Sequence, residues 1–389
     1  MNILLVSAMF PPMVTGTSFY TRNLAGALSE DGHKISVVTI ENNDETSELY
    51  DFDVHYLSSR HLPLPGFFNH FQVCAFAPKN YFLLRKVAND SKADVILLIN
   101  HYLDIVFPAI YAARANSIPL ICSIGTQLQS SNKFRDRILN FFDRLICGNF
   151  VFPFCDKVVA WDTQILKYLS DIHGKRVTDK TVIVNYAPNG DIHGFLEYRH
   201  RYKFHGQILG VGAVTEQRDF LSLVHAFILL APVFPDLKLK IIGLVYQDAA
   251  VKLVYKHGLE QRVVFLGEQS HKIVLEEMKV SDLFFTSLSG KYVGMGTAAI
   301  EAMSLGIPVV VNAPTDLFGT SEMVNMRDFV SSNGLSHEQV ADRMIQLLHQ
   351  EELRSTIGQN GRKFVLDHMN WTVVSRDMIK ALRDTKDQC

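Results

Sequence analysis

The chain has 389 residues, 48% of them hydrophobic and 20% charged, with a formal net charge of -2. That length is long for one core and points to two domains; the composition excludes a disordered chain, and near-neutrality excludes a general attraction for nucleic acid. No apolar run reaches the ~20 residues of a membrane-spanning helix, the chain opens into a strand and not a leader, and the cysteines (Cys74, Cys122, Cys147, Cys155, Cys389) lack metal-ligand spacing, so they read as reduced thiols of a cytoplasmic protein.

The first element, NILLVS from Asn2, is a continuous apolar strand of the kind buried in a parallel sheet, stopped by Pro11 and Pro12. Thr15-Gly16-Thr17 then opens a helix with Phe19, Leu24 and Leu28 on one side and Gly32 at its end, and Lys34 to Ile40 is the next strand. This is a βαβ unit with a glycine turn, the usual entry to a doubly wound sheet. Strands follow at Ala93 to Ile99, Pro119 to Ile124, Asp156 to Ala160 and Thr181 to Val184, with a helix around Val106 to Asn116 and a turn at Pro188-Asn189-Gly190-Asp191. The polar stretch from Gly190 to His205 reads as a linker. The pattern restarts with a strand at Gln207 to Gly212 and an amphipathic helix, Phe220 to Leu230, with Leu223, Val224, Phe227 and Ile228 inward. Strands at Leu237 to Gly243, Val263 to Gly267 and Asp282 to Thr286 come next, with a helix around Lys272 to Lys279. Ser336 and Gln339 form a capping box for a helix to Leu348.

The most informative stretch is Thr286 to Val311, TSLSGKYVGMGTAAIEAMSLGIPVVV. Gly294 and Gly296 allow close backbone approach, and the helix from Thr297 offers unpaired N–H groups and a positive dipole end, which together suit a diphosphate. Glu301, one turn in, can reach a sugar hydroxyl. Gly306-Ile307-Pro308 ends the helix and starts a strand.

In their order and spacing, FPPMVTGTSFYTRNLAGALSEDGHKISVVT, PNGD, AFILLAPVFPDLKLKIIG, VVFLGEQSHKIVLEEMKVSDLFFTSLS, AAIEAMSLGIPVVV and RKFVLDHMNW resemble a glycosyltransferase of the GT-B fold, family 4. The resemblance implies an α/β protein with two Rossmann-like domains facing a cleft. Residues 1–190 would bind the acceptor and residues 205–369 the nucleotide sugar, and a helix within residues 370–389, about Trp371 to Arg383, would cross back onto the first domain. It also implies retention of anomeric configuration, no required metal ion, and no cofactor beyond a UDP- or GDP-linked sugar as co-substrate. The acceptor would be a glycan or a lipid-linked glycan, in surface polysaccharide or lipopolysaccharide synthesis.

Residue by residue, Thr15, Gly16 and Thr17 stand where the family has a glycine pair before the first helix, for acceptor or donor phosphate. Arg218 stands where the family carries a diphosphate-binding lysine, and Ala213 replaces the arginine before it. Lys291 can substitute for that charge. Gly294, Met295, Gly296 and Thr297 would cradle the diphosphate, and the stretch from Gly267 to Ser270 would meet the base. Glu301 matches the second glutamate of the family's pair, which holds the ribose, whereas Val293 occupies the place of the first. His101, past a strand end, is expected to face the cleft and contact the sugars. The family's other histidine falls near Gly125, with Thr126 and Gln127 beside it to offer hydrogen bonds to an acceptor. Glu322 resembles an acidic loop residue, with an N-cap or an ordinary surface charge as its plain alternatives. Asp51-Phe52-Asp53 imitates a DxD metal motif in the wrong context and is read as chance.

No protein nucleophile is evident. A front-face route, in which the leaving phosphate helps accept the acceptor's proton, needs none. Arg218 would then stabilise leaving-group charge while Glu301 and His101 position the sugars. Ala213, Val293 and Gly125 also fit a non-catalytic relative that binds nucleotide sugar or a partner enzyme, and a nucleotide-sugar epimerase is a further alternative. Lys133 to Phe154, with Arg135, Arg137 and Arg144 among Phe141, Phe142, Phe150, Phe152 and Phe154, joins Leu62 to Phe76 as an aromatic, weakly basic stretch. It suits either peripheral contact with the inner face of the plasma membrane or a core helix with a buried strand.

Overall fold

The apolar strands pair only with one another in parallel, as their two-faced burial requires. In the computed structural model, which describes residues 1–13, 15–41, 50–61, 72–130, 132–188, 204–319 and 321–386, the chain divides into two units. The first is Met1–Tyr186 with Trp371–Cys389, and the second is Ala187–Asn370. The expected linker and residues 62–71 lie outside the described residues, apart from residues 204 and 205 at the linker's end.

The first unit is built on strands β1 (Asn2–Val6), β2 (Lys34–Ile40) and β3 (Asp53–Leu57), a short antiparallel pair β4 (Arg60–His61) and β5 (Gln72–Val73), then β6 (Val95–Ile99), β7 (Leu120–Ile124), β8 (Lys157–Ala160) and β9 (Thr181–Ile183). Seven of these form a parallel sheet in the order β3-β2-β1-β6-β7-β8-β9. Every residue of β6 and β7 is buried. The order reverses between β1 and β6, so the carboxyl ends of those strands flank a switch point, where open α/β sheets bind ligands.

The second unit holds β10 (Gln207–Val211), β11 (Lys238–Ile242), β12 (Val263–Phe265), β13 (Leu283–Thr286), β14 (Val309–Val311) and β15 (Val330–Ser331), ordered β12-β11-β10-β13-β14-β15 and parallel throughout. Its switch point lies between β10 and β13. Helix Phe220–Leu230 packs on helix His337–His349, and their buried faces join one core with Ile208, Leu239 and Phe285. The capping box predicted at Ser336 and Gln339 is present with both bonds.

Helix Trp371–Lys386 returns to the first unit and packs on helix Gly16–Glu30. Val374, Met378 and Leu382 are buried at near-helical spacing. The Ser375 hydroxyl donates to Asp31, and Lys157 Nζ donates to the carbonyl of Ala381 at 3.0 Å. The crossing-back helix is therefore present.

Asp51 and Asp53 lie at the amino end of β3. They line a cavity of about 380 Å³ with His33, Lys34, Tyr50 and Phe52, at the opposite end of the sheet from its switch point.

Candidate donor site and acceptor end

In the second unit, three neighbouring strands end in glycines. Gly212, Gly243 and Gly267 adopt φ of 140°, 145° and 67°. The spacing shows why side chains are barred: a Cβ on Gly243 would stand 2.1 Å from the carbonyl oxygen of Gly212, and one on Gly212 would stand 2.6 Å from the Arg218 side chain. Arg218 thus lies flat across the end of β10. Its segment is zipped to the loop after β13. The Asp219 N–H donates to the Ser287 carbonyl at 2.9 Å and the Ser289 N–H donates to the Gln217 carbonyl at 2.8 Å, on either side of a bridge between Arg218 and Leu288. Asn312 holds Leu288 through both its N–H and its carbonyl, at 3.0 and 2.7 Å. Burial pulls the guanidinium pKa down. No described residue ion-pairs or hydrogen-bonds with it. A half-buried cation in this zipped segment, with no carboxylate partner among the described residues, can pair with an anion.

The same loop runs into helix Thr297–Ser304. Gly296, at φ 78°, precedes it without a side-chain cap, and no acidic residue sits in the first turn. Its leading N–H groups are therefore left for a ligand. Thr297, Val293, Ala213 and Gly294 are half-buried, while Met295 is fully buried, so residue 295 presents backbone rather than its thioether. Lys291 is exposed, its Nζ 5.2 Å from the ring centroid of Tyr292. Glu301 is buried one turn in, with its carboxylate 3.3 Å from His271 Nε2. Glu322 is exposed.

In the first unit, Thr15 is the N-cap of helix Gly16–Glu30, accepting from the Ser18 N–H at 3.1 Å. The hydroxyl assigned to acceptor binding is thus committed to capping, which explains a threonine in place of a glycine. Gly16 has open space around its Cα. Thr17 is buried, 3.5 Å from the amide of Asn100. Asn100, at φ 63°, closes β6 and accepts from the Gly125 N–H at 3.1 Å. Thr126 is half-buried.

Two expectations change here. His101 does not face an opening: it is fully buried, Nε2 lies 3.2 Å from the Tyr168 hydroxyl and 3.3 Å from Asp143 Oδ1, and its ring stacks on Phe152. The helix bearing Asp143 covers the strand end, and sequence alone gave no sign of that cover. Gly125 is not a simple loss of a histidine. The indole of Trp161 fills the space, 2.1 Å from where a Cβ at residue 125 would stand, while its N–H donates to Ser123 at 2.9 Å and its ring lies tilted against Tyr20, centroids 3.7 Å apart.

His101, Asp143 and His173 bring ligand-type atoms within 4.8 Å of one another, the group of metal-ligand type among the described residues. The Tyr168 hydroxyl donates to the same carboxylate, and His173 Nε2 lies 3.3 Å from it. Burial alone would raise the Asp143 pKa, but the facing imidazoles of His101 and His173 outweigh it and hold the carboxyl well below the usual range. The arrangement reads as an internal ion-pair network tying the loop after β6 to the segment at Asp143.

Two parallel sheets, each with a switch point flanked by helix starts, define a pair of Rossmann-like domains of the GT-B type. Search of solved structures agrees: HepE of Anabaena, crystallised with UDP and glucose, matches over 99% of this chain and 100% of its own at a TM-score of 0.75 and 15% identity. The Glycosyltransferase Family 4 model matches residues 14–185, and the model for Glycosyl transferases group 1 matches residues 202–364. The chain belongs to these family 4-like glycosyltransferases. An uncharacterized glycosyltransferase of Methanocaldococcus jannaschii is 24% identical, covering 62% of this chain and 61% of that protein. The mannosylfructose-phosphate synthase of Agrobacterium fabrum is 23% identical, covering 62% and 55%. The chain thus spans less than two thirds of the length of these curated relatives.

Proposed function

We propose that this protein moves a sugar from a nucleoside-diphosphate donor, UDP- or GDP-linked, to a glycan or lipid-linked acceptor, with retention and without a metal ion. Arg218, laid across Gly212 beside the uncapped helix at Thr297, carries the reading. Departure of a nucleoside diphosphate concentrates negative charge, and these are preorganised donors for it. Gly267, Gly294, Met295 and Thr297 offer backbone to the donor, Glu301 holds the ribose, and Lys291 adds an exposed charge. Thr17, Gly16 and Thr126 form the acceptor end of the first unit, with Asn100, Trp161 and Tyr20 shaping it. Thermal-shift measurement against UDP, GDP and ADP sugars tests this. One class at ten times its dissociation constant should add about 1.4 kcal/mol, and NMR with an acceptor should show transfer. No shift with any of them would remove the reading. An epimer forming from donor alone would replace transferase with epimerase.

The acceptor's carrier is read from helix Lys133–Phe142, which has no buried residue. Phe134, Phe141, Phe142 and Phe150 are at least half exposed, and Leu145 and Ile146 are exposed beside them. Lys133, Arg135, Arg137 and Arg144 are exposed among them. This excludes the core-helix alternative for that helix and suits an anionic bilayer. Vesicles containing phosphatidylglycerol should float the protein, and vesicles of phosphatidylcholine alone should not. Absence of flotation with both would discard membrane contact.

A further inference from the structure

Three side chains far apart in the chain meet inside the first unit. His101 follows β6, Asp143 opens the helical turn Asp143–Cys147, and His173 ends helix Thr163–His173. One ligand-type atom from each lies within 4.8 Å of the other two. All three side chains are at most 1% exposed, so bulk water does not compete for them. Phe152 closes the shell: its ring stacks on His101 and meets His173 edge-on, with centroids 5.4 and 4.6 Å apart.

The spacing is wide for hydrogen bonds. Charge-assisted N–H···O contacts run about 2.7–2.9 Å. Here His101 Nε2 and His173 Nε2 each stand 3.3 Å from a carboxylate oxygen, and Asp143 Oδ1 is buried without a hydrogen bond. Ligand atoms around a tetrahedral Zn²⁺, with bonds of about 2.0–2.1 Å, stand about 3.4 Å apart. Both separations match that edge, as does the 3.2 Å from His101 Nε2 to the Tyr168 hydroxyl. Imidazole nitrogen and carboxylate oxygen are also donors that suit this ion.

We propose that His101, Asp143 and His173, with the Tyr168 oxygen at the fourth corner, form a buried structural site for a divalent transition-metal ion, Zn²⁺ foremost. The ion takes the place of the protons that the imidazoles carry toward the carboxylate, and without it the same group is the ion-pair network described above. Its bonds join the loop after β6, the turn at Asp143 and the end of helix Thr163–His173. They brace the loop that carries Asn100, which holds the Gly125 N–H. The ion belongs to the first unit, whereas the diphosphate is assigned to the second, so the test below does not depend on the donor site.

The intact protein, purified without chelator, should carry about one Zn²⁺ per chain by plasma mass spectrometry. Melting it with a strong chelator present should lower Tm by at least about 3 °C, the shift for an ion at ten times its dissociation constant. Protein produced with Co²⁺ in place of Zn²⁺ should show the intense visible absorption of a tetrahedral centre. His173→Gln and Asp143→Asn, which keep hydrogen-bonding side chains, should lose both the Co²⁺ absorption and the response to chelator. A wild type that carries no stoichiometric metal, melts alike with chelator and shows no Co²⁺ absorption has an ion-pair network alone, and the proposal is overturned. Retention of the signals in His173→Gln would place the ion elsewhere and overturn it too. So would their loss in His337→Ala, because His225 and His337 form a stacked pair in the second unit, centroids 4.8 Å apart, that offers metals a rival site.

Discussion

Replacing Arg218 with alanine should weaken nucleoside-diphosphate binding about 10- to 100-fold, the worth of one or two charge-assisted hydrogen bonds. The loss in kcat/KM should be larger, about 100- to 1,000-fold, because the diphosphate gains charge as the glycosidic bond breaks. Arg218→Lys should recover part of it: the charge returns, but the planar fork that spans two oxygens does not. Stability should hold or rise slightly, since the wild type partly desolvates this cation with no side-chain partner among the described residues. Calorimetry and steady-state kinetics measure the two losses, and thermal denaturation supplies the folding control. Full affinity in the alanine variant would move the diphosphate away from the end of β10 and remove the main support for the donor site.

Asp143→Ala should give the largest loss of stability. Its carboxylate is the common acceptor for Tyr168, His101 and His173, and all four side chains are almost wholly buried. Removing it deprives His173 and Tyr168 of their shared acceptor and leaves His101 with Tyr168 alone, a cost of about 2–4 kcal/mol and a fall in Tm of roughly 5–10 °C. The sign with pH follows from the lowered pKa of Asp143. An acid held below its unfolded value of about 3.9 contributes fully above that pH, and its contribution fades as the solution is acidified further. On Asp143's own titration, the gap between wild type and variant should be full above about pH 4 and close below it. An unchanged Tm at pH 7 would show that the network adds nothing to folding.

The residues that were easiest to read are those whose role is written in local chemistry. Helix Phe220–Leu230 runs between the residues that its apolar spacing predicts, and the capping box at Ser336 is dictated by two residues three apart. The glycine-led helix at Thr297 and the stop at Gly306 are equally local. His101 shows the limit. Its place after β6 was legible, but whether a strand end opens to solvent depends on what covers it, and the cover comes from Asp143, Phe152 and Tyr168, distant in sequence. His271 was passed over for the same reason: a histidine at a helix start has no meaning until Glu301, 30 positions on, is beside it.

The order of apolar strands, glycine turns and helix stops in the chain by itself determined two parallel α/β sheets and the glycine-led helix start within residues 286–311, because backbone conformation and burial period act over a few residues. Only the tertiary structure decided that Arg218 lies over Gly212, that Trp161 fills the volume at Gly125, and that helix Lys133–Phe142 stands clear of the core. Those outcomes depend on which side chains compete for the same space, and that competition is set by packing between elements.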